Sequence, residues 1–119
     1  MTFPAENIRD WVGLPVVDVA DTKIGTMEAV YFDTGTDEAV FATVKVGMIG
    51  KHRLAFTPLA GAVVTPKHLK VTPAKKLIKD APSIDVDGEL ASEDEPRLYA
   101  HYGLTYQQGM TGERRLGRR

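Results

Sequence analysis

From Val40 to Val46 the chain alternates without a break, with Val40, Ala42, Val44 and Val46 on one side and Phe41, Thr43 and Lys45 on the other. A two-residue period belongs to a strand, whose successive side chains leave opposite faces, and a helix cannot keep it. Turn residues bound the run on both sides, Asp33-Thr34-Gly35-Thr36-Asp37 before it and Gly47 to Lys51 after it, so the strand is short and its neighbours are hairpin partners.

The same pattern recurs through the first half. Trp11 to Val19 reads as a lead-in and first strand with Val17 and Val19 on one face, followed by the turn Ala20-Asp21-Thr22-Lys23 and Gly25. In Met27 to Asp33, Val30 and Phe32 alternate with Ala29 and Tyr31. Both faces are apolar there, which implies burial on both sides, as where a sheet curls over itself. His52 to Pro58 places Leu54 and Phe56 inward, and Pro58 limits further pairing. Ala62 to Thr65 and His68 to Thr72, separated by Pro66, complete five to six strands. The fold class is mainly β, a small partly closed barrel with a short C-terminal helix.

Beyond the strands the character changes. Ala74 to Lys79 forms a short amphipathic turn or helix with Leu77 and Ile78 as its apolar residues, ended by Ala81-Pro82. A linker with Asp85, Asp87 and Glu89 follows, read as solvated rather than as a calcium loop. Ser92-Glu93-Asp94-Glu95 has capping-box spacing, and Leu98 and Tyr102 then share a helix face, with Gly103 placed as a left-handed end. The helix is expected around Glu93 to Tyr102. Gly109 to Arg119 has little to bury and reads as a mobile tail. The expected divisions are a barrel over 1–73, with its core limits at about Asn7 to Thr72, a linker and helical appendage over 74–106, and a flexible basic tail over 107–119.

Trp11-Val12-Gly13-Leu14-Pro15-Val16-Val17-Asp18, then Lys23-Ile24-Gly25, then Val30-Tyr31-Phe32-Asp33 resemble the opening of the PRC-barrel family in residue types and spacing. That family is named after the photosynthetic reaction centre H subunit and includes the C-terminal domain of the ribosome maturation factor RimM. The resemblance covers roughly Asn7 to Thr72 and continues through Leu54-Ala55-Phe56-Thr57-Pro58-Leu59, while Tyr99-Ala100-His101-Tyr102-Gly103-Leu104 looks like the tail of small stand-alone actinobacterial members. It implies adaptors that bind other proteins, often through the outer face of the barrel, some of them dimeric, and it supplies no catalytic residues to carry over. Gly13 and Gly25 suit turns or close backbone approach, and Asp18 and Asp33 suit turn capping.

Catalytic, metal and cofactor chemistry find no foothold in the sequence. His52, His68 and His101 are scattered without a second ligand at helical spacing, and cysteine is absent. Ser83 and Ser92 lie outside any Gly-x-Ser-x-Gly elbow. Gly47-Met48-Ile49-Gly50-Lys51-His52 lacks the phosphate-loop spacing and falls between strands, so a hairpin turn explains it. The expectation is a protein that is not an enzyme, with no catalytic, cofactor or metal residues. The lack of cysteine points to a reducing, cytoplasmic setting. The first ten residues, with Glu6, Arg9 and Asp10, lack the apolar region of an export signal, and no run reaches membrane-span length.

Charge is strongly segregated. Up to Glu38 eight acids face Arg9 and Lys23; from Ala39 to Lys79 there are eight bases and no acid; from Asp80 to Pro96 seven acids and no base; from Arg97 onward five arginines and Glu113. One explanation lays the acidic segment against the basic strands, within a chain or across a dimer. The other makes the lysine-rich segment 45–79 and the arginine tail a footprint for an anionic partner such as RNA or a ribosomal surface. Trp11, Tyr99, Tyr102 and Tyr106 form a second candidate contact, unless they pack on the barrel and seal its end. The candidate interaction residues are therefore Trp11, Lys67, Lys70, Tyr99, Tyr102, Tyr106, Arg114 and Arg115. The leading expectation is a non-catalytic protein-interaction adaptor that self-associates as a homodimer, with an RNA- or ribosome-associated factor as the alternative.

Overall fold

The computed structural model describes residues 11–36, 38–48, 50–86, 88–104 and 116–118. Strands form in the six segments where alternation predicts them, β1 Pro15–Val17, β2 Lys23–Asp33, β3 Ala39–Val46, β4 Arg53–Pro58, β5 Val63–Val64 and β6 Leu69–Lys70, although β2 begins at Lys23, inside the expected turn, rather than at Met27. Helix α1, Lys75–Lys79, follows and buries Ile78 while Leu77 stays exposed. In space the strands run β5-β6-β1-β2-β3-β4. All these neighbours are antiparallel except β1 and β6, which are parallel.

Two further strands lie where sequence reasoning places linker and tail. β7, Ser83–Asp85, adds to the outer edge of β4, and β8, Leu116–Arg118, adds to β2. The sheet thus has eight strands among the described residues, and its ends, β5 and β7, are not hydrogen-bonded to each other. The barrel is partly closed.

Bulges let the sheet curl. β2 is eleven residues long, and its register with β3 slips between Met27 and Ala29 and again between Tyr31 and Phe32. Each slip bends and twists the strand. The inner face then closes on Val16, Met27, Val30, Phe32, Ala42, Val44, Ala55 and Leu69, with Trp11 and Ile78 filling the ends. In β1 the buried residue is Val16; Val17 and Val19 point outward, Val17 half-buried and Val19 exposed.

A second core lies on the other side of the same strands. Tyr31, Phe41 and Phe56 stand on the outer faces of β2, β3 and β4, covered by Leu90, Leu98, Tyr99 and Leu116. Phe56, expected inside the barrel, belongs to this outer layer, while its neighbour Ala55 faces the interior. The rings meet edge to face, Tyr31 with Phe56 at 5.0 Å and Phe41 with Tyr99 at 5.3 Å between centroids.

The covering layer is built by local signals. A 3-10 turn over Ser92–Asp94 leads into helix α2, Glu95–His101, with proline in its first turn. Gly103 takes φ +70°, and the Gly103 and Leu104 amides bond back to the Ala100 and Tyr99 carbonyls at 3.0 and 2.8 Å. That is the paired bonding of a Schellman end. Glu95 is wholly buried and accepts a hydrogen bond from the Leu116 amide at 3.3 Å, joining α2 to β8. The expected mobile tail is therefore ordered strand over Leu116–Arg118, because Leu116 fills the second core. Residues 109–115 and Arg119 lie outside the described residues.

Candidate interaction surface

Cross-strand register brings four residues into one row on the outside of the barrel. Val63 pairs with Lys70, Lys70 with Val17, and Val17 with Lys23, across β5, β6, β1 and β2. Residues opposite one another share a face. The row on the opposite face, Val64, Leu69 and Val16, packs on the interior core, so the outward row follows from the pleat. Val63 is 49% exposed, Lys23 is exposed, and Val17 and Lys70 are half-buried. Lys67 stands exposed in the β5–β6 turn beside this face.

Beyond Lys23 the surface dips into a recess of about 350 Å³ lined by Lys23, Gly25, Thr26, Lys45, Gly47 and His52. Its lining contains no carboxylate, and among the described residues neither lysine forms an ion pair. His52 Nδ1 lies 3.4 Å from the Val46 carbonyl, to which only a protonated nitrogen can donate. The combination is apolar and basic.

The turn carrying this face is held by Asp18. One oxygen of its buried carboxylate accepts from the Ala20 and Thr22 amides at 2.9 and 3.0 Å, and the other accepts from the Lys75 amide at 3.1 Å. These bonds, the one from Thr22 foremost, hold the carboxyl below its usual range against the upward push of burial. Next to it Asp21, at φ +63°, accepts an ion pair from Lys70 at 2.9 Å. Asp33 plays the turn-capping role expected of it, accepting from the Gly35 and Thr36 amides at 2.7 and 3.1 Å.

The basic segment meets acids from both flanking segments. Lys70 pairs with Asp21, while Arg53 reaches Asp85 at 2.8 Å and Ser83 Oγ at 2.9 Å, fastening β7 to β4. Arg97 pairs with Asp94 at 3.3 Å within the helical segment. The intrachain charge reading accounts for these contacts.

Of the aromatic candidates, Trp11 and Tyr99 are each 6% exposed, so they serve the two cores rather than an outer face. Tyr102 is half-buried and donates its hydroxyl to the Phe56 carbonyl. Tyr106, Arg114 and Arg115 lie outside the described residues. Among the described candidates, Lys67 and Lys70 come together with the outward row. Val17, Val63 and Lys23 were missed, and only strand register could have joined them, since they are distant in sequence.

A larger groove of about 770 Å³ lies between α1, β7 and α2, lined by Asp80, Ser83, Asp94, Arg97 and His101 among others. Several of its polar groups are engaged, Ser83 Oγ accepting from Arg53 among them. His101 Nε2 is 2.7 Å from the Leu77 carbonyl and so carries a proton there, and Arg97 is held by Asp94. No helix among the described residues is long and apolar enough to cross a membrane.

A family model described as the PRC-barrel domain matches residues 4–78. No curated protein matches the chain.

Proposed function

Because the chain belongs to the PRC-barrel family, we propose that it is a non-catalytic, cytoplasmic protein-interaction module that self-associates and docks an acidic, partly apolar protein surface. The observation that carries this reading is the outward row Val63, Lys70, Val17 and Lys23. Interfaces combine apolar contact area with charge that selects the partner. The row offers both on a rigid sheet, with Lys67 at its border.

Capture from the native cell at moderate salt tests it, with the intact chain and a Val63→Asp/Lys67→Glu variant compared side by side. Both positions are exposed, so the variant should fold. An acidic protein retained by the intact chain and lost from the variant is the expected result. Equal retention by both would remove this face from the proposal. Self-association is read by light scattering across concentrations, where a species of only 13.0 kDa would count against it.

The recess supports a second reading, an RNA- or ribosome-associated factor. Lys23, Lys45 and His52 present positive or proton-donating groups with no carboxylate in the lining. Such binding would weaken steeply as salt rises, because counterions are released from the phosphate chain. RNA or ribosome binding that is undiminished at high salt would exclude this electrostatic mode.

A further inference from the structure

Two glycines hollow the surface where β2 enters the sheet and β3 leaves it. Gly25 lies so close to β3 that a Cβ would overlap the Lys45 carbonyl oxygen, and a Cβ on Gly47, at φ +100°, would lie 2.7 Å from the Lys51 carbonyl oxygen. Neither position can take a side chain. The bare backbone leaves the recess of about 350 Å³, which falls at the lower end of sites for small ligands, roughly 300–1,000 Å³.

Register sets what lines it. Thr26 on β2 stands opposite Lys45 on β3, so their side chains share a face, and Lys23 begins the same strand as Thr26. The β3–β4 turn brings His52 back beside Val46, whose carbonyl accepts the Nδ1 proton at 3.4 Å. The other ring nitrogen, Nε2, is left for a further partner. Among the described residues it has none, and the Thr26 hydroxyl has none either. Nε2 donates when protonated and accepts from a hydroxyl when neutral.

The charge of the recess is unanswered. Elsewhere on the sheet bases meet acids, Lys70 with Asp21 and Arg53 with Asp85. Lys23 and Lys45 form no ion pair among the described residues, and the lining holds no carboxylate. Two ammonium groups at one recess repel each other, and an anion seated there relieves that repulsion. Lysine acts as a point charge with three donors, whereas arginine is the side chain whose flat fork matches a carboxylate. A compact phosphate, with up to two charges at neutral pH, suits such a site.

We propose that the recess formed by Lys23, Thr26, Lys45 and His52 is a binding site for a single phosphate group, carried by a small molecule or by one position of an RNA chain. This goes beyond the RNA reading, because a small phosphomonoester satisfies the same groups. The lysines supply the charge, Thr26 and His52 the short-range bonds, and the glycines keep the floor open.

Amide NMR of the intact chain tests it, with titrations of inorganic phosphate, glycerol 3-phosphate, sodium acetate and a short single-stranded RNA at fixed ionic strength. Both phosphates should shift the Gly25, Thr26 and Gly47 amides to saturation, and acetate should leave them in place. Lys23→Gln and Lys45→Gln should each weaken binding about tenfold, the loss of one charge-assisted bond. Lys51→Gln, at an exposed lysine outside the lining, should leave it unchanged. The same spectra report folding, and because Lys23 is exposed its variant decides the matter should Lys45→Gln unfold. No saturating shift at those three amides, an equal response to acetate, or an equal loss in Lys51→Gln would overturn the site. RNA binding without a phosphate response would overturn it and leave the RNA reading standing. Phosphate binding without RNA binding would support it and remove that reading.

Discussion

A side chain at Gly25 has nowhere to go: its Cβ would overlap the Lys45 carbonyl oxygen and lie 3.0 Å from Cγ1 of Val44. The neighbours are backbone and an interior valine, so the strands would have to part. Gly25→Ala should cost about 1–3 kcal/mol, the scale of an overpacked core, read as a fall in denaturant midpoint without a change of slope. Asp18 acts through its charge. With its folded pKa below the unfolded value near 3.8, the unfolded chain binds more protons in acid. The stabilisation is present above that value and is lost as pH falls through the folded pKa. Thermal unfolding between pH 7 and pH 3 should show a steep acid limb that is flatter in Asp18→Asn; an identical limb would remove Asp18 from that role. Both residues were readable as structural from the sequence. The atoms they oppose, the Lys45 carbonyl and the Lys75 amide, were not, since each is remote along the chain.

Helix α2 was legible because its signals are local, an apolar face and a glycine at the end that indeed takes a left-handed conformation. The capping box expected at Ser92 does not start it: Ser92–Asp94 is a 3-10 turn, Asp94 is the N-cap without a side-chain bond, and Glu95 accepts from the Leu116 amide. The strands β7 and β8 were not legible, because three residues show no period. They form on edges left open by the other strands, β7 on the edge of β4 away from β3 and β8 on the part of β2 that runs beyond β1. Tyr102 finishes what β7 begins. β7 covers Arg53 to Ala55, and the Tyr102 hydroxyl takes the next carbonyl, Phe56, on β4. Removing the hydroxyl in Tyr102→Phe leaves that carbonyl without this donor and should cost about 1–2 kcal/mol. Burial also pushes the Tyr102 phenol well above the usual tyrosine range. Its stabilisation is full below about pH 10 and is lost as pH rises through the folded pKa. Stability curves from pH 8 to pH 11 should therefore fall more steeply for the intact chain than for Tyr102→Phe.

At the scale of the molecule, one curled sheet serves two cores, and the layer that covers the second, with Leu90, Leu98, Tyr99 and Leu116, comes from residues beyond the family match at 78. Tyr31, Phe41 and Phe56 would stand in water if that layer were missing. Each fully buried ring is worth about 1.5–3 kcal/mol, so a chain ended at Asp80 should lose several kcal/mol and bind an apolar-surface dye. An unchanged thermal midpoint without dye binding would show the layer to be dispensable. The layer also bears on partners, because it covers the outer face of β2, β3 and β4. Among the described residues the layer does not reach the outer surface of β5, β6 and β1, where most of the proposed docking row lies.

The number and order of the first six strands, the turns between them and the late helix were written in local patterns: a period of two, turn residues and a glycine cap. Those patterns act over a few residues, so sequence alone determines them. The apolar residues on both faces of the second strand likewise announced burial on both sides. What covers the outer face was a tertiary decision, since α2 and Leu116 reach it from far along the chain. So was the row Val63, Lys70, Val17 and Lys23, because a strand pattern says which residues alternate but only pairing register says which of them become neighbours.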